Sequence, residues 1–374
     1  MNLTKRRKSR SNNLPISKRT TKKAIQNDFQ KLALVSCIII LASTFYFFKR
    51  NDDSYYSVSI PESQINGVPA KTASWTSQHL LDCKSIHLVS TSSNAENGDS
   101  MFVTTKTVPP FQMDIHNPAS DAVSKEIHEK GCWECGHLQG MLAALSKYPD
   151  SYFLDIGGNI GMWSLAAAAA NKETFTIEPS PENYQKICHT VNRNLFHNRV
   201  HLLTIAATSK PETFTLIVPE GNKGGTKVSV ASEQQKDAAA KVQAHAHTGG
   251  GSTNNATTTT NVIKGYPIDS LNLPVDRPVV MKIDVEGHEL QALQGAMEFL
   301  KNANIIHVSM ELRPMHFRPR EWKEIFDVLV SKGLEPSRVD NNSEVEMKLD
   351  PEKLSEWRGK TVRFFDVVWE KRNA

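Results

Sequence analysis

The segment Phe153–Leu165, FLDIGGNIGMWSL, restricts the fold more than any other stretch of the chain. A β-rich apolar run ends at Asp155, glycines follow at Gly157, Gly158 and Gly161, and an apolar helical pattern opens at Met162. Strand, glycine turn and helix in that order form the first half of a βαβ unit, which commits the chain to a parallel sheet covered by helices. Glycines in such a turn let the backbone come close to a ligand. The spacing is D-x-G-x-N-x-G and lacks the complete G-x-G-x-x-G that seats a dinucleotide pyrophosphate on a helix N-terminus, which counts against a nicotinamide cofactor.

The chain beyond this segment keeps the same alternation. Tyr152–Ile156, Phe175–Ile177, Val200–Ile205, Val279–Ile283 and Ile305–Glu311 read as short strands. Helical patterns at Met162–Asn171, Pro181–Asn194, Glu289–Asn302 and Arg320–Gly333 separate them. The expected fold is a Rossmann-like α/β domain with a doubly wound, mostly parallel sheet, and Thr361–Trp369 (TVRFFDVVW) is expected as its antiparallel edge strand. Ahead of the first strand, Ala119 to Tyr148 favours helix, with Leu138, Met141, Leu142 and Leu145 on one face and Pro149-Asp150 as the stop.

Two further motifs carry chemistry. The second strand ends in Glu178 (TFTIEPS), 23 residues after Asp155, where a carboxylate can accept hydrogen bonds from both hydroxyls of a ribose. The ligand is therefore expected to contain an adenosine-like sugar. Ser180-Pro181-Glu182 then reads as a helix start, with Ser180 as cap. The third motif, VVMKIDVEGHELQALQGA, runs a buried strand into Lys282, Asp284, Glu286, His288 and Glu289, placing charge where open α/β sheets bind ligands.

Taken in order, LDIGGNIGMWSL, IEPSPENYQKICHTVNRN and IDSLNLP…VVMKIDVEGHELQALQGA resemble the FkbM family of S-adenosylmethionine-dependent methyltransferases over roughly residues 150–315. The resemblance implies a class I methyltransferase fold and methyl transfer to an oxygen nucleophile, commonly a hydroxyl on a sugar or other metabolite. It implies S-adenosyl-L-methionine as cofactor, with Asp155, Gly157, Gly158, Asn159 and Gly161 in its loop and Glu178 at its ribose. Asp284, Glu286 and His288 are the catalytic candidates. Glu286 or His288 would take the acceptor's proton, and His288 titrates near neutrality when unperturbed. A divalent ion held by the carboxylates is the weaker alternative, and no metal ligand is assigned. Glu311 stands at the end of a neighbouring strand, as a further crevice residue or only a strand cap.

Charge and hydropathy locate the rest. The 374 residues carry +4 overall, but residues 1–31 hold ten Lys/Arg against one acid, so the remainder is net negative. That argues against nucleic acid as a partner. Leu32–Phe48 follows without a formal charge, and bulky residues at its exit do not suit signal cleavage. The expected layout is a basic cytosolic tail (1–31), a transmembrane signal anchor (32–48), a stem (49–110) and a catalytic domain (111–374) interrupted by a low-complexity insertion (221–261). With the basic residues in the cytosol the protein is type II, its domain in the Golgi or endoplasmic reticulum lumen. Cys83, Cys132, Cys135 and Cys188 are expected in structural disulfides of open pairing, the Asn255 and Asn341 sequons agree with lumenal exposure, and His245 and His247 are given no role. The acceptor is then a small molecule or glycan hydroxyl. A type II glycosyltransferase, which would need a D-x-D run that is absent, and a non-catalytic binding protein of the same fold are the alternatives.

Overall fold

The computed structural model of the protein describes residues 79–86, 101–219, 225–232, 262–312, 319–339, 345–353 and 365–371, all within the unit Thr72–Ala374. The basic tail, the apolar run Leu32–Phe48, the histidines His245 and His247 and both sequons lie outside these residues. Among the described residues no helix is long and apolar enough to cross a membrane.

In chain order the first elements are β1 (Leu80–Leu81), β2 (Met101–Thr104), β3 (Gln112–Ile115), α1 (Ala122–Lys130), α2 (Cys135–Lys147), β4 (Tyr152–Ile156), α3 (Met162–Ala169), β5 (Thr174–Ile177), α4 (Pro181–Asn194) and β6 (Val200–Leu203). A smaller group comes next: β7 (Ala206–Ala207), β8 (Glu212–Ile217), β9 (Lys227–Val230) and β10 (Val262–Tyr266). The second half comprises β11 (Pro278–Ile283), α5 (Glu289–Gln294), α6 (Met297–Asn302), β12 (Asn304–Leu312), α7 (Pro319–Ser331), β13 (Leu334–Val339), β14 (Val345–Lys348) and β15 (Phe365–Lys371).

The main sheet has the order β1-β6-β5-β4-β11-β12-β15-β13-β14, with β6 through β12 mutually parallel. Strand alternation sorts the core into two layers. Tyr152, Leu154, Ile156, Val279, Met281 and Ile283 face one way, onto α5, α6 and α7 through Leu293, Leu300 and Phe326. Phe153, Val280 and Ile306 face the other way, onto α1 to α4 through Ile127, Leu138, Leu165 and Ile187. Because both faces are covered, these strands are apolar at nearly every position, as parallel strands must be. The result is a class I methyltransferase-like α/β fold. Its strand order reverses between β4 and β11, opening a crevice at their C-terminal ends, where sheets of this kind bind ligands.

The structure corrects five expectations. The C-terminal strand is not the edge: β15 lies between β12 and β13, antiparallel to both, and its Val367 and Trp369 are fully buried. The helix expected over Ala119–Tyr148 is two helices, because Gly131 caps α1 in the left-handed region and a Cys132–Cys135 disulfide closes the turn before α2. The helix expected over Glu289–Asn302 also breaks, at Gly295, where a side chain would overlap the Thr208 carbonyl. The start of the low-complexity segment is structured, since β9 pairs with β8 in a four-stranded sheet of order β7-β10-β8-β9.

The fifth concerns the stem, part of which belongs to the domain. β1 pairs with β6, Cys83 is disulfide-bonded to Cys188 on α4, and β2 pairs with β3, which packs on that helix. Asp114 of β3 is buried, its carboxylate shared by Lys186 at 3.3 Å and His189 at 2.7 Å. The cross-link spans 105 residues of sequence. Closing a loop of that length removes chain entropy from the unfolded state. Replacing Cys83 and Cys188 together by Ser is expected to lower stability by about 2–4 kcal/mol and the melting temperature by more than about 5 °C. Calorimetry checks it, and an unchanged melting temperature would contradict the docking of this segment.

Candidate active site

The crevice at the β4/β11 reversal is a cleft of ≈ 1060 Å³, counting the solvent at its mouth. The Gly157–Asn159 turn forms its floor. Gly157 has φ +90° and stands so close to β11 that a Cβ would collide with the Asp284 carbonyl, and a Cβ on Gly158 would collide with Thr176. Only glycine serves at the first position, since both the backbone angle and the space exclude a side chain. Gly161, also left-handed, is the N-cap of α3 and packs against Leu165 and Ile187; it does not line the cleft.

Two carboxylates face each other across this turn. Glu178, at the end of β5, accepts hydrogen bonds from the Asn159 N–H at 2.8 Å, the Ser180 N–H at 2.9 Å and the Asn183 side-chain amide at 3.3 Å. Burial pushes its carboxyl up to about 7, although these hydrogen bonds favour the charged form. Ser180 stands at the N-cap of α4 but its hydroxyl makes no capping bond; the helix start relies on Pro181 and on the Glu178 contact instead. Asp155, at the end of β4, accepts from the Ser164 hydroxyl through Oδ2 at 2.5 Å, and Thr176 donates to Ser164 at 2.7 Å. Burial raises the Asp155 pKa, opposed by the Lys282 charge and the Ser164 hydrogen bond. Its Oδ1 is buried with no partner among the described atoms. An orphaned carboxylate oxygen costs on the order of 1–3 kcal/mol, which a ligand donor would recover.

The β11 side supplies the charged wall. Lys282 donates to Asp284 at 2.9 Å and stands 5.3 Å from the centre of the Trp163 ring. Burial opposes its charge, but Asp284, Glu134 and Asp155 outweigh that and raise its pKa above the usual lysine range. Beyond it the chain turns sharply, with Glu286 and Gly287 both at positive φ. The buried Glu289 carboxylate braces the turn by accepting from Gly287 N–H at 2.9 Å and Val285 N–H at 3.2 Å. Glu286 and His288 both line the cleft. His288 lies 3.3 Å from the Thr208 hydroxyl and edge-on to Phe214, and burial lowers its pKa, with Glu212 opposing.

Of the cofactor and catalytic candidates, all except Gly161 line one cleft, whereas Glu289 and Glu311 do not. Carboxylate oxygens of Asp284, Glu289 and Glu311 also come within 4.8 Å of one another, whereas Glu286 stands apart from that group. Sequence reasoning missed Asn183, which links Glu178 to His116 at 3.0 Å, as well as Trp133 and Trp163 in the cleft wall. Lys282 was visible in the third motif without a role. For the tryptophans the only signal was bulk beside a motif.

The residues present fit S-adenosylmethionine. Glu178 offers carboxylate oxygens at the second strand end, glycines leave room for close backbone approach, and Asp155 holds an unsatisfied acceptor. Similar solved structures include precorrin-6y C5,15-methyltransferase from Geobacter metallireducens (12% identity, 67% of this chain and 95% of that one, TM-score 0.29). Others are an S-adenosylmethionine-dependent methyltransferase from Agrobacterium tumefaciens (10%, 75% and 72%, 0.35) and magnesium protoporphyrin IX methyltransferase from Synechocystis with bound cofactor (11%, 66% and 83%, 0.30). No curated protein matches the sequence. The fold assignment rests on the strand order itself. Residues 155–336 match the family model described as the methyltransferase FkbM domain, from Asp155 on β4 to Pro336 on β13. The chain thus carries a methyltransferase FkbM domain over residues 155–336.

Proposed function

We propose that the protein is an O-methyltransferase that binds S-adenosylmethionine with its ribose at Glu178 and methylates a hydroxyl of a glycan or small metabolite. The observation that carries this reading is the convergence of Glu178, the Gly157–Asn159 turn and the orphaned Asp155 oxygen on one crevice of an FkbM domain. When bound, the cofactor supplies a methyl group on a sulfonium centre, open to in-line displacement. What remains for the protein is to hold the acceptor oxygen in line, exclude water and take one proton.

His288 suits the last task. Its lowered pKa keeps the imidazole neutral at physiological pH, ready to accept a proton from a hydroxyl. Asp284, tied to Lys282, is fixed in orientation and suits positioning better than proton transfer. Glu286 remains the second candidate base, presented by a left-handed residue at the cleft wall.

The proposed compartment follows from other features. Leu32–Phe48 as an uncleaved type II anchor, with a lumenal domain in the Golgi or endoplasmic reticulum, is supported by the charge asymmetry around it and by two disulfides, which persist in oxidising compartments. Protease added to sealed microsomes should remove only the N-terminal tail and leave the domain intact. Digestion of the domain without detergent would place it in the cytosol.

Titration calorimetry with S-adenosylhomocysteine should give saturable binding that Glu178→Ala weakens by at least about tenfold, as expected for loss of charge-assisted hydrogen bonds. The pH dependence has a definite sign. Ribose hydroxyls donate to the ionised carboxylate, so affinity should level off at about one pH unit above the Glu178 pKa of about 7 and fall as pH drops through it. The limiting slope is about tenfold per pH unit if only the ionised form binds. A folded protein that does not bind, or affinity that rises on acidification, would overturn the assignment.

A further inference from the structure

One side of α4 is polar. Asn183, Lys186, Thr190 and Asn194 recur at intervals of three and four residues, which stacks them on a single face of the helix. β3 lies along that face. Its Gln112 N–H donates to Asn194 Oδ1 at 3.0 Å, and the Asn194 amide donates back to the Gln112 carbonyl at 2.6 Å. The Asp114 N–H donates to Thr190 Oγ1 at 2.9 Å, beside the Asp114 carboxylate that Lys186 and His189 share. Helix side chains thus satisfy the strand edge that faces away from β2.

Two residues beyond Asp114 the chain reaches His116, which is 2% exposed. Its backbone N–H donates to the Ser124 hydroxyl at 3.0 Å, in the first turn of α1, next to Ala122 and Val123 of the cleft wall. Its ring Nε2 lies 3.0 Å from Oδ1 of the buried Asn183, and Asn183 Nδ2 lies 3.3 Å from Oε1 of Glu178. Chemistry fixes the sense of both bonds. Glu178 Oε1 already accepts from the Ser180 N–H, and an ionised carboxylate only accepts, so Asn183 must turn its NH2 toward it. The amide oxygen then faces His116. Because that oxygen can only accept, Nε2 must carry a hydrogen, and it donates whether the imidazole is neutral or charged. Without this donor, Asn183 would either keep a buried oxygen that has lost its partner or flip and turn the oxygen against the carboxylate.

We propose that His116 is a positioning residue for the cofactor's ribose: it fixes the Asn183 amide, and Asn183 in turn aims the Glu178 carboxylate. His116, β3 and α1 all precede the residues 155–336 that match the family model. The segment ahead of the FkbM domain therefore takes part in cofactor binding as well as in stability. The proposal rests on the reading of Glu178 as the ribose acid.

The bond from Asn183 is one of those that favour ionised Glu178. Its loss raises the Glu178 pKa above about 7, so affinity lost near neutrality is regained in part at higher pH. Asp155, across the turn, opposes ionisation of Glu178 in wild type and variants alike, and Asp114, Lys186 and His189 pair with one another.

Titration of S-adenosylhomocysteine into full-length protein in detergent, followed by calorimetry from about pH 6 to about pH 9, tests the proposal. His116→Met removes the donor, whereas His116→Gln keeps one at nearly the same size. His116→Met is expected to weaken binding by about five- to tenfold at pH 7, the effect of losing an orienting hydrogen bond, and to move the midpoint of the pH dependence upward. His116→Gln should bind within about twofold of wild type. If His116→Met does not fold, Asn183→Ala takes its place beside His116→Gln and should show the same weakening and the same upward midpoint. The proposal is overturned if the variant lacking the bond binds undiminished, if its weakening is equal at every pH, or if His116→Gln is as weak. A folded wild type that does not bind S-adenosylhomocysteine would instead remove the reading of Glu178, and this inference with it.

Discussion

Gly157 and the Asp284 carbonyl occupy the same small space between β4 and β11, and the rest of the site depends on that contact. The two strands are neighbours in the sheet, yet the chain leaves them in opposite directions, toward α3 and toward α5. A side chain at Gly157 would overlap the Asp284 carbonyl and have to displace the end of β11. Glycine lets the backbone cross between the strands, so that Asp155, Asn159 and Glu178 from one half of the fold come to face Lys282, Asp284 and His288 from the other. A substitution at Gly157 is therefore felt on both sides of the cleft, through strain at φ +90° and through displacement of β11.

Around that contact the protein concentrates buried titratable groups. Asp155, Glu178, Glu134 and Asp366 all have carboxyl pKa values raised foremost by burial, and Lys282 is the cation shared by most of them. Carboxylic acids that are more readily protonated in the fold than in the unfolded chain lose stabilisation as pH rises through their native pKa values. For Glu178 and Glu134 that window extends from about pH 4.5 to about pH 7–8.

Much of this was legible in the sequence, for identifiable reasons. Strand, glycine turn and helix at Phe153–Leu165 are dictated by local preference, and the second-strand acid at Glu178 follows from a fixed spacing. The features that local pattern did not reveal share a different cause. β15 pairs inside the sheet because of contacts far along the chain, and nothing within TVRFFDVVW distinguishes an interior strand from an edge. Gly295 breaks a helix because Thr208, 87 residues earlier, occupies the space a side chain would need. Glu134 reads locally as a surface residue in a helix; its place in a buried recess is set by a disulfide and by two strands more than 170 residues away. Cys83 looked like part of a stem until its partner on α4 was known.

The central claim is that the crevice between β4 and β11 holds the cofactor, and irradiation of the full-length protein with methyl-labelled S-adenosylmethionine tests it most directly. Ultraviolet cross-linking followed by peptide mapping is expected to place the label on peptides containing residues 153–165, 174–186 or 280–290, and excess unlabelled S-adenosylhomocysteine should abolish it. Label confined to peptides outside these three segments, or label that persists under competition, would contradict the account.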